Sequence, residues 1–144
     1  MADTGFTAEE RAAMKSRAAE LRADAKAAKG AAKKEADRQG VLEAIAALGG
    51  TDKVLAERFH ELVTEAAPGL EPKTWYGFPA FGRDGKAVVF FKPSSKFKTR
   101  YATIGFNDGA QLDDGTLWPV EYAITEFTPD VEQKLREVVA RAAG

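Results

Sequence analysis

The amino-acid sequence predicts an α+β fold, with N-terminal helices and a C-terminal helix packed on a curved, mainly antiparallel sheet. Apolar residues recur at helical spacing up to Val63, alternate at strand spacing through Phe106, and return to helical spacing after Thr128. Asp84-Gly85, set between two apolar runs, is the two-residue signature of an antiparallel hairpin. Thr128-Pro129 is the signature of a capped helix start. Striped helices and a one-sided sheet bury their apolar surfaces by packing on each other.

Composition bounds the rest. A chain of 144 residues has room for one substantial core. A formal charge of -1 gives no whole-chain reason to expect nucleic acid or an acidic membrane. The sequence contains no cysteine, which excludes disulfides, thiol catalysis and thiolate metal sites, and fits a reducing cytoplasm. No apolar run approaches the roughly 18 residues of a membrane span. Asp3, Glu9 and Glu10 precede any hydrophobic segment, unlike a secretory signal.

The elements follow in order. Residues 1–39 read as a loosely attached Ala/Lys-rich helical arm, and residues 40–144 as the α+β domain. Thr7 with Glu10 sets the arm's start as a capping box, and Gly30 is expected to end or interrupt it. Lys26, Lys29, Lys33 and Lys34 make its end basic, but Glu20, Asp24, Glu35 and Asp37 interleave with them. A solvated helix face is therefore preferred over a nucleic-acid arm. Val41, Leu42, Ile45 and Leu48 trace an apolar face that stops at Gly49-Gly50. Thr51 or Asp52 is expected to cap the next helix, with Leu55, Phe59, Leu62 and Val63 as its stripe. These two helices read as an antiparallel pair. Phe78 to Phe81 is extended, Ala87 to Phe91 is a strand buried on both sides, and Phe97 to Phe106 is a further strand. Tyr122 to Phe127 is the last strand. Thr128 then caps a helix whose core stripe is Val131, Leu135, Val138 and Val139.

Several ordered motifs resemble the YdhG-like family of small bacterial domains over residues 40–143. They are Leu55 to His60, the segment Trp75-Tyr76-Gly77-Phe78-Pro79-Ala80-Phe81, the strand ending Phe90-Phe91, Thr99 to Phe106, and Asp113 to Pro119. The resemblance implies helices against a curved antiparallel sheet. Some members are described as frataxin-like iron chaperones; the resemblance implies no catalytic residues.

Three candidate sites stand out. Trp75, Tyr76, Pro79, Phe81, Tyr101 and Trp118 supply rigid aromatic surface for a small organic ligand or peptide. The same rings could instead close the helix–sheet core. Lys96, Lys98 and Arg100 share one strand parity, with Lys92 across the hairpin, so their charges could converge on an anion. Exposed lysines on an edge strand also discourage association. Iron enters through the family resemblance, with Asp113 and Asp114 as candidate oxygen ligands and Glu121 and Glu126 following. His60 is the only histidine, so a two-histidine, one-carboxylate site is impossible within one subunit. Ser94-Ser95 lacks a nucleophile elbow, and the glycines form no phosphate-binding pattern.

The reading is a ligand- or peptide-binding domain rather than an enzyme. Its expected site is Trp75, Tyr76, Phe81, Lys98, Arg100, Tyr101 and Trp118, an aromatic cleft with a basic rim. No cofactor is expected, and an iron chaperone is the alternative. The expected partner is a small anionic or aromatic molecule or a protein segment; membrane is excluded, nucleic acid disfavoured and a homodimer left open.

Overall fold

A computed structural model describes residues 7–144. The chain divides into two compact units, the first ending at Glu35 and the second comprising Ala36–Gly144.

Helix α1 spans Ala8–Ala46. The Glu10 N–H donates to Thr7 Oγ1 at 3.1 Å, and the Thr7 hydroxyl donates back to the Glu10 carboxylate at 3.2 Å. Gly30 neither ends nor interrupts the helix, contrary to the expectation from sequence. One interior glycine costs about 1 kcal/mol relative to alanine, which the Ala-rich turns on both sides can absorb. Met14 and Leu21 are exposed, whereas Val41 and Ile45 enter the core of the second unit.

Helix α2 (Gly50–Ala66) buries Leu55, Phe59, Leu62 and Val63, the expected stripe. Its N-cap is Gly49, without a side-chain cap, so neither Thr51 nor Asp52 plays the expected role. Asp52 bonds elsewhere, with consequences for the site. The principal helical partner of α2 is the C-terminal helix rather than α1. That contact is laced by ion pairs from Arg58 to Glu132 and from Arg136 to Glu65.

Five strands form one antiparallel meander in chain order: β1 (Glu71–Trp75), β2 (Phe78–Arg83), β3 (Lys86–Lys92), β4 (Ala102–Phe106) and β5 (Glu121–Ile124). Two hairpins use paired left-handed residues. Asp84 and Gly85 have φ of 53° and 77°, and Tyr76 and Gly77 have 50° and 78°. The pairing shifts between β2 and β3, with Phe81 opposite Val89 but Gly82 opposite Ala87. Val88 is the extra residue. The bulge sends both Val88 and Val89 into the main core and leaves Ala87 on the other face.

The expected strand from Phe97 to Phe106 is corrected to a shorter one. A one-turn helix, α3 (Ser94–Phe97), ends at Lys98 in the left-handed region with φ 52°, and pairing starts only at Ala102. Lys96, Lys98 and Arg100 therefore do not share a strand face. Helix α4 (Pro129–Ala143) starts as expected, with Thr128 Oγ1 accepting from Val131 N at 3.3 Å.

The main core lies between the helices and one sheet face, joining Phe59, Leu62, Val139 and Leu135 to Phe81, Phe91, Ile104 and Phe106. No helix among the described residues is long and apolar enough to cross a membrane.

Candidate functional site

The second face of the sheet is built by cross-strand partners. Trp75 lies opposite Phe78, Ala80 opposite Phe90, Phe90 opposite Gly105, and Gly105 opposite Glu121. Lys92 lies opposite Thr103 on the same face. A small apolar cluster of Ala80, Ala87 and Phe90, with Trp75 packed on it, occupies this face. No residue of α1, α2 or α4 joins that cluster. The face carries its own small aromatic layer.

Small residues let the rings lie flat. A Cβ at Gly105 would overlap the Phe90 ring, so glycine there allows the ring to rest against the sheet. Trp75 stacks on Phe90 with ring centroids 4.4 Å apart and planes tilted by 34°. Tyr76 meets Trp75 edge-on at 4.8 Å and is 82% exposed at the hairpin tip.

The α3 turn forms the opposite wall. The carboxylate of Asp52, only 4% exposed, accepts from Ser94 N at 3.0 Å, Ser94 Oγ at 2.8 Å and Ser95 N at 3.0 Å. Burial raises its pKa, but the bonds from Ser95 and Ser94 outweigh that and hold it below the usual carboxylate value. This anchor diverts the chain from a strand into a helical turn, placing Phe97 edge-on to Phe78 at 5.5 Å. Lys92 Nζ lies 4.5 Å from the Phe97 ring centre, and Lys96 Nζ lies 5.4 Å from that of Phe78. No described carboxylate pairs with either ammonium group.

Trp75, Tyr76, Phe78, Phe90, Lys92, Phe97 and Glu121 together line an open cleft of about 390 Å³. The expected site residues distribute differently. Trp75 and Tyr76 line this cleft. Phe81 is 1% exposed in the helix-side core, packed edge-on against Phe59 at 5.9 Å, and Pro79 is buried too. Tyr101 lies beside Arg100, whose guanidinium is 5.3 Å from its ring, and neither lines the cleft. Lys98 is exposed at the end of α3. Trp118 packs against the helix-side core and lines a separate depression of about 270 Å³ with Leu112, Tyr122, Lys134 and Arg141. Sequence reasoning did not place Phe78, Phe90, Phe97 or Glu121 at the site. The available signal was the parity of Phe78 and Ala80, opposite to that of Pro79 and Phe81.

Asp113 borders a shallow depression with Asp108 and Gln111, whereas Asp114 borders the one lined by Trp118. Among the described residues, no group of three His, Asp or Glu side chains is placed to hold a metal ion. His60 packs on Phe81 with ring centres 5.1 Å apart, and its buried Nδ1 has no hydrogen-bond partner. Burial lowers its pKa; Glu61 opposes that shift and Arg38 adds to it.

Comparison with family models, curated proteins and solved structures finds no match to this chain.

Proposed function

We propose that the α+β unit is a binding domain that takes a small anionic or aromatic molecule, or a protein segment, on the open face of its sheet. The observation that carries this reading is the Trp75–Phe90 stack beside Lys92 and Lys96, whose ammonium groups lack carboxylate partners. Flat apolar surface and the Lys92 ammonium occur in one cleft, with Lys96 beside its Phe78 wall, and their joint complement is an aromatic or apolar group with an anion. The role is recognition rather than catalysis. Relative to the expected site, the proposal keeps Trp75 and Tyr76 and draws its cations from Lys92 and Lys96.

We also propose kinship with YdhG-like domains. It is supported by the ordered motifs across residues 40–143 and by the α+β architecture that kinship implies. Cytoplasmic residence belongs to the proposal, rests on the cysteine-free sequence and is tested by cell fractionation.

The experiment is a screen of metabolites and peptides against the Trp118→Phe chain, in which Trp75 is the remaining indole. A binder should quench its fluorescence saturably and weaken on Phe97→Ala. Binders that quench the original chain but not Trp118→Phe would place recognition elsewhere.

A further inference from the structure

We propose that the open face recognises a planar nitrogen-containing ring joined to a single phosphate, a ligand of mononucleotide size and chemistry. The inference rests on the binding reading above and names its ligand class.

Three features of the cleft converge on that class. Trp75 and Tyr76 stand nearly perpendicular, at 84°, and form a corner against which a flat ring can stack on one side and abut on the other. The cations are both lysines, one beside each ring of the Phe78–Phe97 pair. Ammonium groups act as point charges that can neutralise a phosphate without the fixed fork of a guanidinium. Glu121 stands on the same face, opposite Gly105 and next in line to Phe90, as an acceptor for a ring N–H or a sugar hydroxyl.

Size and charge select a free small molecule over a nucleic-acid strand. A volume of about 390 Å³ lies near the lower end for ligand sites, suited to one ring and one phosphate. The Glu121 carboxylate opposes the regular negative charge of a polynucleotide, whereas one phosphate can remain at the lysine side.

The test titrates the full Trp118→Phe chain with adenosine, guanosine, cytidine and uridine monophosphates. The parent nucleosides, inorganic phosphate, indole-3-acetate and a short mixed-sequence single-stranded oligonucleotide provide the other arms. At least one monophosphate is expected to quench Trp75 saturably and bind about tenfold more tightly than its nucleoside, as a charge-assisted contact implies. Lys92→Gln/Lys96→Gln should bring the monophosphate-to-nucleoside affinity ratio, measured within that variant, down to about one, with the far-ultraviolet spectrum confirming the fold. An undiminished phosphate advantage in that variant would overturn the proposal. Equal or tighter binding of indole-3-acetate would overturn the phosphate assignment while sustaining the broader binding reading. An oligonucleotide bound more than tenfold tighter than any monophosphate would replace a small ligand by a strand. If no aromatic anion quenches Trp75, both the proposal and the binding reading at this cleft fail.

Discussion

Asp52 and Ser94, 42 residues apart, are joined twice: the Asp52 carboxylate accepts both the backbone N–H and the hydroxyl of Ser94. Ser95 N adds a third bond. A buried carboxylate on α2 thereby caps the turn that carries Phe97 to the open cleft and Lys96 to the Phe78 ring. Local structure at the cleft wall depends on a residue from the other side of the core.

Asp52→Ala is expected to destabilise the fold by about 2–3 kcal/mol, since the charge-assisted hydrogen bonds from Ser94 and Ser95 are lost. Chemical denaturation measures this. The pH dependence has a definite sign. The folded pKa lies below the ordinary value of 3.8, so the stabilisation is complete above that value. It is lost as pH falls from 3.8 through the folded pKa. Asp52→Asn should flatten that part of the acid limb.

His60 supplies a second pH-dependent contribution. Burial lowers its folded pKa below 6.5, so the neutral ring is the form the fold favours. Its contribution is complete above 6.5 and is lost as pH falls through that value toward the folded pKa. Urea melts at pH 7.5 and 5.5 should show the original chain losing more stability than His60→Phe. Equal losses would remove His60 from the account of acid sensitivity.

Gly105→Ala tests the aromatic layer without touching Trp75. The new methyl group must displace Phe90, and overpacking of this kind costs about 1–3 kcal/mol. The thermal midpoint should fall and the near-ultraviolet signal of the Trp75–Phe90 stack should change. An unaltered signal would contradict the close fit of ring to backbone.

Asp113 and Asp114 border different depressions, and the recognition reading gives them no shared ligand. Anaerobic calorimetry with ferrous iron is expected to give the same isotherm for the original chain and for Asp113→Ala/Asp114→Ala. Saturable binding lost only in a folded double variant would restore the iron reading.

Much of the fold is legible in local patterns. The stripe Leu55, Phe59, Leu62, Val63, the Asp84-Gly85 hairpin and the Thr128-Pro129 start each carry their own short-range cause. Strand β1 was hidden because Pro72 is tolerated there only by its edge position, and Tyr76-Gly77 closes a hairpin with a residue that rarely adopts positive φ. The turn at Ser94–Phe97 was illegible for a different reason: its cap is Asp52, supplied by tertiary folding. The site was legible only in part. Trp75 and Tyr76 stood out, but strand parity separates them from Phe81, and Trp118 packs on the helix side of the sheet. The unpaired status of Lys92 and Lys96 emerges only when their surroundings are folded.

The most direct measurement is an amide and indole chemical-shift titration of the labelled chain with the tightest-binding nucleoside monophosphate. The expected result is saturable change at the Trp75 indole, Tyr76, Gly77, Phe90, Lys92, Phe97 and Glu121, with little change at Trp118, Lys134 and Arg141. Changes confined to the Trp118 depression, or no saturable change at the open face, would contradict the assignment of this face as the binding site.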